Sequence, residues 1–233
     1  MTTVPAREFD AVLFDWCGTL VAYPTLEERL RLALEQVGRH ADQVTVGAHA
    51  AAIRGTDRDP ALAVLEARCD LSAENHRHAK LTRFDRAGLD AQLAGALEAT
   101  YGDLSTYQPY PEVPSVIAHL TGAGVEVVVV SDFHVDLRPH FESIGVLPQI
   151  SGFALSCEVG AVKPASAMFE AALDHVHADP ARCLMVGDNP GPDAGAAFLG
   201  ITSLILPFLR SGRPPLLDRV TRLVLGAHDP SSG

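Results

Sequence analysis

Four short polar clusters carry the residue types that could do chemistry, and each stands at the end of an apolar run or the start of a helical pattern. Asp15 ends the run Ala11 to Phe14 and opens Asp15-Trp16-Cys17-Gly18-Thr19. Ser131-Asp132 follows the valine run that ends at Val130. Lys163-Pro164 precedes a helical pattern containing Phe169, and Gly187-Asp188 opens a stretch that closes on Asp193. Carboxylates, one lysine and small hydroxyl donors are the groups needed to gather an anionic substrate beside a cation.

The elements that position these groups are legible as a pattern. Ala11 to Phe14, Val125 to Val130, Gly152 to Leu155, Leu184 to Val186 and Ser203 to Leu206 are short apolar runs, suited to strands covered on both faces of a parallel sheet. Val113, Val116, Ile117 and Leu120 repeat at helical spacing, and Ala167, Phe169, Ala172 and Val176 do so more loosely. Alternating strand and helix predicts an α/β fold with a doubly wound, Rossmann-like parallel sheet. Ligands bind such sheets beyond the carboxyl ends of the strands, where the four clusters fall.

From Thr25 to Tyr107 the alternation stops. Thr25 with Glu28 forms a capping-box pattern ahead of Leu26, Leu30, Leu34 and Val37 on one helical face. Leu89, Leu93 and Leu97 mark a second amphipathic helix ending near Gly102, and no strand is expected between them. The expected organisation is a core of residues 1–22 and 108–233 with a helical insertion over 23–107. Ala22-Tyr23-Pro24 and Gln108-Pro109-Tyr110-Pro111 are the candidate hinges. The tail after Val224 is expected to fray.

Taken together the four clusters resemble the motifs of the haloacid dehalogenase-like (HAD) superfamily. There a strand-end Asp opens D-x-D-G-T, a Ser or Thr ends a later strand, a Lys stands alone and an acidic pair closes the site. The order matches over the whole core, and the insertion occupies the position of that family's C1 cap. The resemblance implies a Mg²⁺-dependent hydrolase in which Asp15 attacks phosphorus and also binds the metal. The backbone carbonyl of Cys17 and the Asp188 carboxylate would be further ligands, with Asp193 orienting Lys163 or a metal-bound water. Thr19, Ser131 and the amide of Asp132 would contact the transferring group, and Lys163 would neutralise its charge and that of the nucleophile.

The motif is a variant, D-x-C-G-T. Where the family's phosphatases carry the Asp that protonates the leaving group, this chain has Cys17, whose thiol is a weak substitute. A phosphatase would then draw its acid from the insertion or from His134. D-W-C-G-T is also similar to the D-W-A-G-T of phosphonoacetaldehyde hydrolases, which form a Schiff base on a cap lysine. The matching stretch Ala52-Ile53-Arg54-Gly55 has none, leaving Lys80 as the substitute. A metal-free 2-haloacid dehalogenase also lacks the second Asp, but has no use for Gly187-Asp188. A binding module with little turnover is the non-enzyme alternative.

Simpler roles compete at each position. Asp15 can start a turn, Ser131 can cap a helix, Lys163 can be a solvated loop residue, and Asp193 can cap Ala194 to Leu199 ahead of Gly200. His134 and His140 read as surface residues, and His76-Arg77-His78-Ala79-Lys80 as a solvated helix face, with contact to an anionic substrate as the alternative. The net charge of −11 excludes a general nucleic-acid binder but permits a small phosphorylated or otherwise anionic metabolite as partner. No apolar run approaches the roughly 20 residues of a membrane helix, Met1 to Phe9 lacks a signal-peptide core, and the four cysteines have no metal-ligand spacing. A cytoplasmic protein with reduced thiols is expected; its oligomeric state is not encoded in any pattern.

Overall fold

The computed structural model describes residues 7–208 and 216–226. Its centre is a five-stranded parallel sheet in the order β5-β4-β1-β6-β7. The strands are β1 Ala11–Phe14, β4 Glu126–Ser131, β5 Gly152–Leu155, β6 Cys183–Gly187 and β7 Thr202–Ile205, each within a residue of its expected position. Successive side chains of β1 serve opposite faces. Val12 and Phe14 join one hydrophobic cluster with Val127, Val129 and Leu184. Ala11 and Leu13 join another with Val128, Val130 and Met185. Both faces are covered by helices, which is why these strands read as unbroken apolar runs.

The helices of the core are α6 Val113–Gly122, α7 Arg138–Ser143, α8 Ser156–Val159, α9 Ser166–Leu173, α10 Pro190–Asp193 and α11 Asp218–Leu225. Ala194–Leu199, expected as an α-helix, is wound as a 3-10 helix and stops at Gly200, whose φ is +82°. No helix among the described residues is long and apolar enough to cross a membrane. Of the tail, residues 227–233 lie outside the described residues.

Between residues 23 and 107 lie five α-helices: α1 Leu26–Gln36, α2 Gln43–Arg54, α3 Pro60–Glu66, α4 Ala73–Arg86 and α5 Ala91–Gly102. Each begins at a side-chain cap, in order Thr25, Asp42, Asp59, Ser72 and Asp90, and Thr25 with Glu28 completes the capping box. Caps of this kind contribute about 1 kcal/mol each. The helices bury a cluster of their own around Leu30, Leu34, Ile53, Phe84, Leu93 and Leu97.

The two expected hinges carry structure that the sequence did not reveal. β2 Val21–Ala22 and β3 Gln108–Pro109 pair antiparallel, Val21 opposite Pro109. Two residues are too few to show a period of two, and Pro109, which lacks an N–H, argues against a strand when read alone.

Candidate active site

The parallel register brings the clusters to one edge. Phe14 lies opposite Val129 of β4 and Val186 of β6, so the residues that follow each strand emerge side by side. Asp15 donates its backbone N–H to the Val186 carbonyl at 2.8 Å, which aims its side chain past the sheet. Lys163 Nζ then donates to Asp15 Oδ1 and to Asp193 Oδ1, both at 2.7 Å. The Thr19 hydroxyl donates to Asp15 Oδ2 at 2.9 Å, and the Asn189 backbone N–H to Asp193 Oδ2 at 3.0 Å. The three charged groups are nearly sealed: Asp15 is 6% exposed, Lys163 7% and Asp193 1%.

Carboxylate oxygens of Asp15, Asp188 and Asp193 approach within 4.8 Å of one another, a donor set that suits a hard divalent cation. Two glycines permit it. A Cβ on Gly18, at φ +90°, would stand 2.3 Å from Asp188 Oδ2, and one on Gly187 would stand 2.1 Å from Asp193 Oδ2. Asp188 is half-buried. Asp193 spends both oxygens on protein donors, so it is placed to orient Lys163 more than to ligate.

The electrostatics follow from this crowding. Burial pushes the Asp188 carboxyl up to about 6, with the negative charges of Asp15 and Asp193 adding to it. Burial also raises Asp15, against the pull of the Lys163 ammonium. Burial by itself would lower Lys163, but Asp15, Asp193 and Asp132 outweigh it and hold the ammonium above its ordinary range. Asp132 accepts the Lys163 backbone N–H at 2.9 Å, and burial pushes its carboxyl up to about 6. Ser131, at the end of β4, is buried beside Leu155 and caps no helix.

Cys17 faces a cavity of about 550 Å³ lined on the core side by Asp132, Phe133 and His134. From the inserted helices come Arg29, Glu66, Asp70, His76, Lys80 and Tyr101. Burial and the neighbouring Asp15 push the Cys17 thiol well up, so it is a poorer acid than a free cysteine. Asp70 sits on the 3-10 turn Cys69–Leu71, and the Ser156 hydroxyl donates to its carbonyl at 2.5 Å. Ser156 also accepts the Phe133 N–H at 2.9 Å, so one buried hydroxyl ties this turn to the core beside Asp132. Burial raises the Asp70 carboxyl.

Several expectations change. Thr19, expected at the substrate, is fully buried with its hydroxyl spent on Asp15 and acts as a brace. Asp193 makes no cap to Ala194–Leu199. His134 and His140 are buried, not superficial; His140 packs edge-on against Trp16 at 5.3 Å between ring centroids. The 76–80 stretch is a solvated face only in part: His76 and Ala79 are buried, and Lys80 pairs with Glu66 at 2.6 Å. Asp70 and Arg29 were missed. Arg29 left a signal, since it occupies a core phase of α1 between Leu26 and Ala33.

A family model for haloacid dehalogenase-like hydrolases matches residues 9–198 of this chain. The chain belongs to that family. A curated relative, phosphoserine phosphatase of Thermus thermophilus, is 30% identical over 109 residues, covering 46% of this chain and 44% of the relative. The chain thus aligns with less than half the length of that protein. Among solved structures, a HAD hydrolase of Bacillus subtilis bound to magnesium superposes with a TM-score of 0.67 at 16% identity, covering 94% of this chain and 99% of that one. The 2-haloacid dehalogenase of Pseudomonas syringae gives 0.59 at 21% identity, covering 92% and 97%. At such identities the likeness establishes the HAD fold.

Proposed function

We propose that this HAD hydrolase is a Mg²⁺-dependent phosphatase acting on a small phosphorylated metabolite through an aspartyl-phosphate on Asp15. The observation that carries the reading is the carboxylate cluster of Asp15, Asp188 and Asp193 beside the buried Lys163 ammonium. Asp15, Asp188 and the Cys17 carbonyl would hold the ion, with residues 23–107 forming a cap over the site. Bound magnesium would neutralise phosphoryl charge and offset the repulsion between nucleophile and substrate.

Asp15 Oδ attacks phosphorus as the P–O bond to the leaving alcohol breaks. Lys163 holds the nucleophile in place and compensates its charge, while the Ser131 hydroxyl and the amide of Asp132 receive phosphoryl oxygens. The leaving oxygen takes its proton from the Asp70 carboxyl, the acid that Cys17 does not supply. Asp70 carboxylate then accepts a proton from the water that attacks the aspartyl-phosphate, releasing inorganic phosphate and restoring the Asp15 carboxylate and the Asp70 carboxyl. Burial keeps Asp70 protonated to higher pH than a free carboxyl, as such an acid requires. His134 is the weaker candidate, because burial depresses it to about 4 and leaves it without a proton to give near pH 7.

A phosphonoacetaldehyde-type reaction is favoured by one fact, that Lys80 lines the cavity. Burial would free its amine, but Glu66 at 2.6 Å more than reverses that and keeps the ammonium charged, which opposes imine formation. A dehalogenase has no use for the carboxylate of Asp188. The deciding experiment is hydrolysis of a panel of phosphate monoesters with Mg²⁺ and with chelator, by wild type and by Cys17→Asp. Mg²⁺-dependent release that Asp15→Asn abolishes is expected, and Cys17→Asp should raise the rate on alkyl esters. Absence of turnover in both forms would favour a binding module, and halide release without metal would favour a dehalogenase.

A further inference from the structure

Arg29 is a buried cation without an anion. It is 3% exposed, and no carboxylate among the described residues pairs with it. Its guanidinium donates to the Thr100 carbonyl and, through Nη2 at 2.9 Å, to the Tyr107 hydroxyl. It lies 4.2 Å from the centre of the Tyr101 ring and 5.1 Å from that of Tyr107. These neutral contacts use two of five N–H donors and cancel none of the charge. The other cations of this region are compensated: Lys163 by Asp15 and Asp193, Lys80 by Glu66. An uncompensated buried charge is costly, and a protein that keeps one at the wall of a cavity has a use for it.

Two further groups on the same wall are unsatisfied. His76 of α4 and His134 of the core stack with ring centroids 3.6 Å apart and planes 7° from parallel. Both are more than nine-tenths buried, and their sealed Nδ1 atoms face carboxylates without hydrogen-bonding them, Glu98 Oε1 at 3.8 Å from His76 and Asp70 Oδ1 at 3.9 Å from His134. Burial lowers His134 to about 4 and His76 to about 3, so both rings are neutral near pH 7 and add no positive charge beside Arg29. Arg29, the imidazole pair and Cys17, two residues from the nucleophile, line one cavity of about 550 Å³.

We infer that this cavity holds a carboxylate on the leaving group, with Arg29 as its counter-ion and the neutral His76–His134 pair as the wall beside it. This inference rests on the phosphatase reading and names its substrate class, phosphate monoesters of small hydroxy acids. A single uncompensated cation matches a single negative charge. A second phosphoryl group would bring two, and would face the carboxyl groups of Glu66 and Asp70 in the same cavity. The planar fork of a guanidinium also fits a carboxylate in two-point contact.

The test compares kcat/KM for 2-phosphoglycolate and ethyl phosphate, which differ by a carboxylate against a methyl, in wild type, Arg29→Gln and Arg29→Lys. Wild type should favour the acid about 10- to 100-fold, the range of a hydrogen-bonded charge pair. The preference should collapse in Arg29→Gln and persist in part in Arg29→Lys. Calorimetric binding of glycolate to Asp15→Asn, with and without Arg29→Gln, reads the same subsite without turnover. Arg29-dependent glycolate binding with no phosphate hydrolysed would uphold the subsite and remove the phosphatase reading. Equal wild-type rates on the two esters would overturn the inference even if Arg29→Gln failed to fold. An equal loss on both esters in Arg29→Gln would overturn it too, reducing Arg29 to a brace between α1, α5 and Tyr107.

Discussion

Replacing Asp70 by Asn removes its transferable proton and keeps its shape. The Asp70 side chain is 34% exposed, with the neutral His134 Nδ1 at 3.9 Å and the Lys80 ammonium and Cys69 thiol also acting on it. The bond that anchors the turn, from the Ser156 hydroxyl to the Asp70 carbonyl, involves backbone and survives the change. Stability should therefore move by less than about 1 kcal/mol. Catalysis should move far more. General acid catalysis contributes about 10²–10⁴-fold, equivalent to about 3–5 kcal/mol at roughly 1.4 kcal/mol per tenfold. Cys17 cannot take over, because burial and Asp15 push its thiol well up. The loss should appear only where the leaving group needs a proton. On ethyl phosphate kcat should fall by the full factor, and on p-nitrophenyl phosphate, whose phenolate leaves unaided, by less than about tenfold. Adding Cys17→Asp to Asp70→Asn should restore the alkyl ester by placing a carboxyl two residues after the nucleophile. An equal fall on both esters, or none on either, would refute the assignment of the acid to Asp70.

Lys163→Met leaves the carboxylates of Asp15 and Asp193 buried without their shared cation, and should cost about 3–5 kcal/mol in denaturant unfolding without metal. An unchanged midpoint would show that neither depends on the ammonium. Gly18→Ala places a Cβ 2.3 Å from Asp188 Oδ2 at φ +90°, so it should lose about 1–3 kcal/mol and need more Mg²⁺ for half-maximal stabilisation in thermal melts. Thr19→Val removes a buried donor to Asp15 and should cost about 1–3 kcal/mol, read in the same melts. Arg182 and Arg7 hold the Asp10 carboxyl well below the usual range, so its stabilisation is present above the unfolded carboxyl value and lost as pH falls through the depressed folded one. Asp10→Asn should thus cost about 0.5–1 kcal/mol at pH 7, and the difference should vanish in strong acid, where both chains fold without that charge.

The chain announced its catalytic edge in one dimension because the physics there is local. A buried parallel strand must be apolar, and the residue that leaves it at the ligand-binding edge must not be. Asp15, Ser131 and Asp188 therefore each stand at a visible change of composition, and Lys163 lies ahead of the pattern of α9. The capping box at Thr25 and the leucine spacing of α1 and α5 were legible for the same reason. Which oxygen of Asp15 meets Lys163, and that Thr19 braces the other, depended on register between strands far apart in the chain.

The wall of the cavity that Cys17 faces was decided by tertiary structure. Arg29, Asp70, His76 and Lys80 come from α1, a 3-10 turn and α4, and meet His134 of the core only after those helices pack. Helical periodicity says which face of a helix is buried, not which polar residue of another element lies against it. So the sequence by itself determined a HAD-type fold and the carboxylate–lysine edge. The stacked histidines, the guanidinium without a carboxylate partner and the placing of Asp70 on the cavity that Cys17 faces exist only in three dimensions, because charge compensation and burial belong to neighbours in space and not in sequence.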